Sequence, residues 1–442
     1  MHVGGEREAS RAVATRTQRP AEAGAIRSGG TRLAGIEGLR ALAACSILVF
    51  HSWMYASPDG RRAAVGPLSH VLPDLAFGVI LFFTLSGFLL YRPFVAAAMR
   101  GQRSPDIRGY LKNRALRILP AYWVILLVCA LVLRSVLLRD EGGDLTNGGT
   151  ADPSLLARSG LLVQHYDPRT LLVGIGPAWS LAVEVVFYLL LPVLALLVFG
   201  LSRRASTRRG RRLAAFVPVA LMLGIGLSGK AAAAYLVPPL APYAGWDANW
   251  HSVLERSFLA QADLFSFGMA LAVLRVEWED GLLRLHRHWR IVAIGAGLLA
   301  YLVTAHGTES NQLSYSLYNT LMAFACATLL ALVVLYRPGA EAPPLLVRLL
   351  ETRPLLWLGV ISYSVFLWHE PLVRFLQAHD LTLTGAPGFL VNTTLLAALT
   401  FALSTITYQL VERPALLLKR RKARPRTAAD EALAASSVEA AP

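Results

Sequence analysis

The chain has 442 residues, 55% of them hydrophobic and only 16% charged, with a formal net charge of +15 and a mean hydropathy of +0.48. Soluble domains average about 45–50% apolar and about 25% charged residues, so an ordinary soluble domain is excluded. The apolar excess falls in blocks of about 17–25 residues, each able to span a hydrocarbon core about 30 Å thick; a transmembrane barrel, which alternates in segments of about ten residues, is excluded with it.

Residues 1–33 are rich in Arg, Ala, Gly and Glu and have no apolar core. They predict a disordered basic arm rather than a cleavable signal peptide. Ten apolar spans follow, at about 38–55, 73–95, 117–138, 179–200, 212–231, 258–275, 289–306, 315–336, 354–377 and 389–411. The fifth belongs to a longer apolar stretch ended by Pro238-Pro239, whose last part is read as re-entrant or interfacial. The reading is an all-α polytopic membrane protein: a membrane domain over 34–414 and a short tail over 415–442, basic and then Ala-rich.

The loops orient the bundle. Arg92, Arg100, Arg103, Arg108, Lys112, Arg114 and Arg117 share the second loop with a single acid, Asp106. Arg203, Arg204, Arg208, Arg209, Arg211 and Arg212 fill the fourth with none. With ten spans, every such cluster falls on one side, and the positive-inside rule places both termini in the cytoplasm. The same segregation explains the positive charge without nucleic acid. Cys45, Cys129 and Cys326 lie within apolar runs, with neither disulfide nor metal spacing. No spacing suggests a metal site.

Titratable groups inside the spans carry the functional signal. Such groups cost roughly 2.5–3.5 kcal/mol each on insertion scales. Arg40 opens the first span, and His51 follows eleven residues later, about 16 Å further along a helix. Glu184 lies about 8 Å into the fourth span, counted from Trp179. His369 and Asp263 fall in the outer halves of the ninth and sixth spans. Four polar groups at similar depth predict a hydrated cavity. His51 is a candidate proton acceptor. Glu184 is a candidate partner for it, or a carboxylate paired with an arginine between helices. Ser86 lacks a nucleophile elbow and is read as a small packing residue. His165 and His251 are expected at ordinary surface positions in outer loops.

Several stretches together resemble the acyltransferase-3 family of membrane acyltransferases. They are Gly35-Ile36-Glu37-Gly38-Leu39-Arg40 followed by His51; Phe82-Phe83-Thr84-Leu85-Ser86-Gly87-Phe88; Arg114 and Arg117 with Pro120 and Tyr122; and Trp179-Ser180-Leu181 with Glu184, Phe187, Tyr188 and Pro192. Ile361-Ser362-Tyr363-Ser364, Leu367-Trp368-His369, Pro371 and Glu412-Arg413-Pro414 look like its closing motifs. Val185 departs from the pattern, standing where many members carry a second acid.

The resemblance implies a membrane O-acyltransferase. Its expected reaction moves a short acyl group, acetyl above all, from cytoplasmic acyl-coenzyme A to a hydroxyl of a carbohydrate, lipid-linked glycan or macrolide-type acceptor. No tightly bound cofactor is implied; acyl-coenzyme A is a co-substrate. His51 and Glu184 would be catalytic. Arg40, Arg114 and Arg117 would bind the donor's phosphates, which guanidinium groups engage bidentately. His369, Asp263, Trp179 and Tyr188 would support them. The expected location is a bacterial cytoplasmic membrane. The alternative is a secondary transporter or flippase for a polar or glycan substrate, against which stand the lack of an internal repeat and of paired broken helices.

Overall fold

Among the described residues, ten long helices form where the ten apolar blocks predict them. The chain, seen here as a computed structural model, is described over residues 32–56, 65–237, 246–307, 312–336 and 342–418. The expectations for the basic arm up to residue 31, for the end of the fifth apolar stretch at Pro238-Pro239 and for the tail from residue 419 lie outside those residues.

The first helix, α1, runs Ile36–Tyr55, and two 3-10 turns (Gly66–His70 and Leu72–Ala76) lead into α2, Phe77–Met99. Then α3, Ile107–Leu127, begins ten residues before the expected third span, because Asp106 caps it by accepting from the Arg108 amide at 3.0 Å. Arg114 and Arg117 therefore lie inside a helix rather than at its start. A π-helical turn, Val128–Leu133, extends α3.

The longest loop is ordered. Strands β1 (Val136–Arg139) and β2 (Leu145–Gly148) pair antiparallel, with Val136 opposite Gly148. Helix α4, Pro153–Gly160, is capped by Asp152. Leu137, Leu171, Leu172 and Val253 close a small apolar cluster with Trp179 packed on it.

The remaining helices are α5 (Ala178–Arg204), α6 (Arg208–Tyr235), α7 (Trp250–Glu255), α8 (Phe258–Glu279), α9 (Trp289–Gly307), α10 (Gln312–Val334), α11 (Leu345–Leu350), α12 (Arg353–Ala378), α13 (Gly385–Thr407) and α14 (Arg413–Leu417). A second π-helical turn, Tyr408–Glu412, joins the last two. Among the described residues, eight helices are long and apolar enough to cross a membrane, and Trp289–Thr304 is a shorter apolar helix. The tenth, α1, is not among the eight; it carries Glu37, Arg40 and His51. Large apolar side chains such as Ile291, Val292, Leu299 and Leu410 stay exposed, as a lipid-facing surface requires.

Side-chain contacts fix the alternation of the helices. Arg212 meets Glu277 at 3.1 Å while Lys230 meets Asp263 at 2.5 Å, so α6 and α8 are antiparallel. Arg92 and Arg100 reach Glu279 at 2.5 and 3.0 Å, gathering the arginine-rich segments at one end of the bundle. Small residues let backbones touch. A Cβ on Gly268 would collide with the Thr84 carbonyl, and one on Gly87 with that of Phe265.

Two histidines depart from expectation. His165 and His251 are buried rather than on the surface: His165 lies within the ordered loop, and His251 packs against the end of α6 at the Ala233 carbonyl. His251 Nδ1 donates to the Val237 carbonyl at 2.7 Å. Burial and the Arg256 guanidinium push His165 down to about 3.

Gly268→Leu is expected to destabilise the bundle by about 1–3 kcal/mol or more through overpacking; a thermal unfolding midpoint equal to wild type in nanodiscs would count against this crossing. His165 stays neutral when folded and protonates when unfolded, since its folded value lies below the ordinary 6.5. Its contribution is full above about pH 6.5 and lost as pH falls towards 3, with a slope of about 1.4 kcal/mol per pH unit per proton. His165→Asn should flatten the acid slope of the melting temperature; identical slopes in both proteins would refute the burial.

Candidate active site

Helices α1 and α12 lie side by side and parallel. Gly359 makes this possible, since a Cβ there would strike the Glu37 carbonyl. Arg40 Nε then donates to Ser362 Oγ at 3.2 Å. About three turns further along α1, His51 Nδ1 meets His369 Nε2 at 2.7 Å, with the two rings nearly parallel at 11° and 4.9 Å apart.

This pair has a defined proton arrangement. The Val365 carbonyl can only accept, so His369 Nδ1, 3.2 Å away, is the donor. A neutral His369 then offers a lone pair at Nε2. His51 Nδ1 must donate to it. The remaining nitrogen, His51 Nε2, is left unprotonated. A backbone carbonyl thus sets the tautomer of the first ring, and that ring sets the second.

His51 lines an outer cavity of about 580 Å³, with Tyr55, Trp179, Gln261, Glu370 and Arg374. A smaller inner cavity of about 110 Å³ lies towards the arginine-rich end, lined by Arg40, Ser86, Arg114, Arg117, Glu184 and Tyr188. Val79, Phe83 and Phe366 line both, so an apolar wall separates the two.

The predicted residues therefore divide between two sites. Glu184 does not meet His51. It lies five residues beyond Trp179 on α5, about 7.5 Å deeper, where it accepts the hydroxyl hydrogen of Ser86. Arg40, expected at the membrane face, sits within the bundle instead. Arg114 places its guanidinium 5.9 Å from the Tyr188 ring centre, and its Nε is buried without a hydrogen-bond partner. Arg117 pairs with Glu412 at 2.8 Å, and Ser364 also donates to Glu412, at 2.6 Å. The guanidinium groups of Arg40, Arg114 and Arg117 line the inner cavity with the Glu184 carboxylate, and Glu37 and Glu412 also lie close enough to act on Arg40.

Asp263 lines neither cavity. Lys230 donates to it at 2.5 Å and Thr320 at 2.6 Å. Trp179 and Tyr188 fall in different cavities, outer and inner.

Three residues around the cavities were not singled out from the sequence, and a fourth, Glu412, stood there only as part of a closing motif. Glu370 and Arg374 are spaced i,i+4 on α12 and form an ion pair, a spacing that was legible. Lys230 is a cation near the far end of the fifth span, eighteen residues after Arg212. Glu412 reaches the arginines because the π-helical turn rotates the chain before Pro414.

Breaking the buried Lys230–Asp263 pair leaves one charge uncompensated, at an expected cost of about 3–5 kcal/mol for Asp263→Asn or Lys230→Met. The double replacement Lys230→Met with Asp263→Leu should cost less than either single change. Single variants that melt with wild type would show that the pair is solvated.

Buried titratable groups around two internal cavities, inside a bundle of membrane-length helices, define a polytopic membrane protein with an internal polar site. The chain belongs to the acyltransferase-3 family, whose acyltransferase domain matches residues 33–409. It is 23% identical over 390 residues to the O-acetyltransferase OatA of Staphylococcus aureus, covering 86% of this chain and 57% of that one. It is 24% identical over 394 residues to the peptidoglycan O-acetyltransferase OatA of Listeria monocytogenes, covering 86% and 55%. Nodulation protein 10 of Rhizobium leguminosarum bv. viciae is 25% identical over 412 residues, covering 86% and 92%. The chain thus spans little more than half the length of the two O-acetyltransferases. No solved structure matches it.

Proposed function

We propose that this protein is a membrane O-acyltransferase that moves an acetyl group from acyl-coenzyme A to a hydroxyl of a carbohydrate or glycosylated acceptor. The observation that carries the reading is His51 Nε2, held unprotonated by the Val365–His369 relay beside the wall between the cavities. The two relatives named O-acetyltransferase support the group and the bond type. The relative named for peptidoglycan supports a wall-glycan hydroxyl as one acceptor class.

The arginine-rich end faces the cytoplasm by the positive-inside rule, which puts both termini there in a bacterial cytoplasmic membrane. Acyl-coenzyme A approaches from that side, its phosphates on Arg114, Arg117 and Arg40. The inner cavity, at about 110 Å³, is smaller than the roughly 300–1,000 Å³ of typical ligand pockets. It suits the slender pantetheine arm and leaves the nucleotide at the rim. The arm delivers its thioester past Val79, Phe83 and Phe366.

At the histidine, the acceptor hydroxyl oxygen attacks the thioester carbonyl carbon while His51 Nε2 takes its proton. The carbon–sulfur bond breaks, and the leaving thiolate recovers that proton from His51. His369 holds the ring by accepting from Nδ1 and stabilises the imidazolium. Glu184, bonded to Ser86, balances the arginines at the donor site.

The test is labelled acetyl transfer from acetyl-coenzyme A in proteoliposomes. His51→Ala should lose at least about 10²-fold in turnover, the scale of a general base; full turnover in that variant would remove His51 from the chemistry. His369→Ala should lower kcat with little change in KM. His369→Gln should recover part of it, since its amide oxygen can accept from His51 Nδ1. Equal losses in both variants would assign His369 to packing alone.

A further inference from the structure

The turn between α5 and α6 concentrates positive charge without balancing it. Arg203 and Arg204 end α5, and Arg208, Arg209, Arg211 and Arg212 open α6. No acid occurs from residue 185 to residue 246. Among the described residues, only Arg212 of these six forms an ion pair, with Glu277 at 3.1 Å. The nearby carboxylates of Glu279 and Asp280 are taken by Arg92, Arg100 and Arg275. The helix adds to the excess. Its N-terminus is the positive end of the α6 dipole, which favours an anion and disfavours a cation, yet its first turn has no acid.

Two polar atoms at this turn are buried with nothing to bond. Arg211 Nε is a donor without an acceptor, and its guanidinium lies beside the loop at Gly101, 3.8 Å from where a Cβ would stand. Ser202, in the last turn of α5 and only 7% exposed, has an Oγ in the same state. A buried donor left unmatched keeps its desolvation penalty, and both groups are donors to an oxyanion. The adjoining helix surface is apolar: Leu196 and Leu213 are exposed, and a Cβ on Gly200 would meet nothing within 4 Å. An acyl chain gains from that surface, whereas a soluble anion does not.

We propose that the α5–α6 turn binds the phosphate of an anionic phospholipid from the arginine-rich leaflet, with Arg211 and Ser202 donating to its oxygens. Arg203, Arg204, Arg208 and Arg209 offset its charge, and its chains lie along Leu196 and Leu213 on the outside of the bundle. The lipid joins the end of α5, the helix that carries Glu184, to the start of α6. The site is separate from the inner cavity, which none of these residues lines, and it stands whether or not the acyl-transfer reading does.

The test uses the full chain in a neutral detergent, with bound lipids counted by native mass spectrometry. Wild type should bind phosphatidylglycerol at least tenfold more tightly than phosphatidylcholine. Neither sn-glycerol 3-phosphate nor coenzyme A at the same concentration should displace it. Arg208→Gln, Arg209→Gln and Arg211→Gln combined should weaken phosphatidylglycerol at least tenfold, and Ser202→Ala alone about threefold. A control that neutralises three exposed arginines elsewhere on the same side, Arg284, Arg287 and Arg348, should leave the affinity nearly unchanged. The proposal falls if the two lipids bind alike. It falls equally if both triple variants weaken binding to the same extent, which would show a general attraction of the basic face. Displacement by either soluble phosphate would assign the turn to a soluble anion instead. Should the site triple variant not fold, equal binding of the two lipids by wild type, or unchanged binding in Ser202→Ala, would each overturn the proposal.

Discussion

The backbone contact between α1 and α12 is the constraint on which the rest depends. Gly359 of α12 lies against the Glu37 carbonyl, and Gly38 lies against the carbonyl of Leu350, the last residue of α11. Neither position has room for a side chain, so α1 meets α12, and the short helix before it, at one register. In lipid there is no hydrophobic force between helices, and close packing of small residues supplies the association. From that register follow the Arg40–Ser362 bond and the His51–His369 bond. A slip of one residue on either helix would turn each partner about 100° away. The tautomer chain that starts at Val365 would then have no second ring to act on.

Within this frame, polar groups are sorted by sign as well as by depth. Lys230 with Asp263, Arg117 with Glu412 and Arg374 with Glu370 are buried ion pairs. Each removes a charge that hydrocarbon would otherwise punish. What remains after pairing differs between the cavities. The inner one keeps guanidinium donors in excess, and the Arg114 Nε is among them. The outer one holds unmatched oxygens of Glu370 and Gln261 beside the guanidinium groups of Arg256 and Arg374. Chambers of different polar lining lie on the two sides of one apolar wall.

The sequence showed the helices and the polar groups but not which groups meet. Apolar block length located the ten helices, and the arginine clusters gathered at one end because charge segregation is a property of the chain itself. Glu184 was a misleading guide to His51. Depth along a helix is legible from residue counting, but azimuth depends on which neighbour α5 packs against, and that neighbour is Ser86 on α2. Glu370 was hidden between the motif residues His369 and Pro371, where a single-residue reading had no reason to stop. Glu412 was visible only as a closing motif, because a π-helical turn has no clear sequence signature. His165 and His251 looked like surface loop residues, but the ordered outer loop buries the first and the end of α6 packs on the second.

The apolar wall also constrains how the proposed chemistry runs. Phe366 belongs to the wall, and its ring centre lies 5.7 Å from that of His369. Phe82 packs edge-on against the same ring at 5.9 Å. A pantetheine arm passing this point displaces Phe366, three residues from the histidine that fixes the His51 tautomer. Both sit on one turn of α12, so the wall and the base share a rigid support. Under the proposed reaction, the histidine pair is placed where neither donor nor acceptor reaches it without crossing or filling an apolar boundary. That placement gives a buried, otherwise costly pair of imidazoles a physical reason to lie in the membrane.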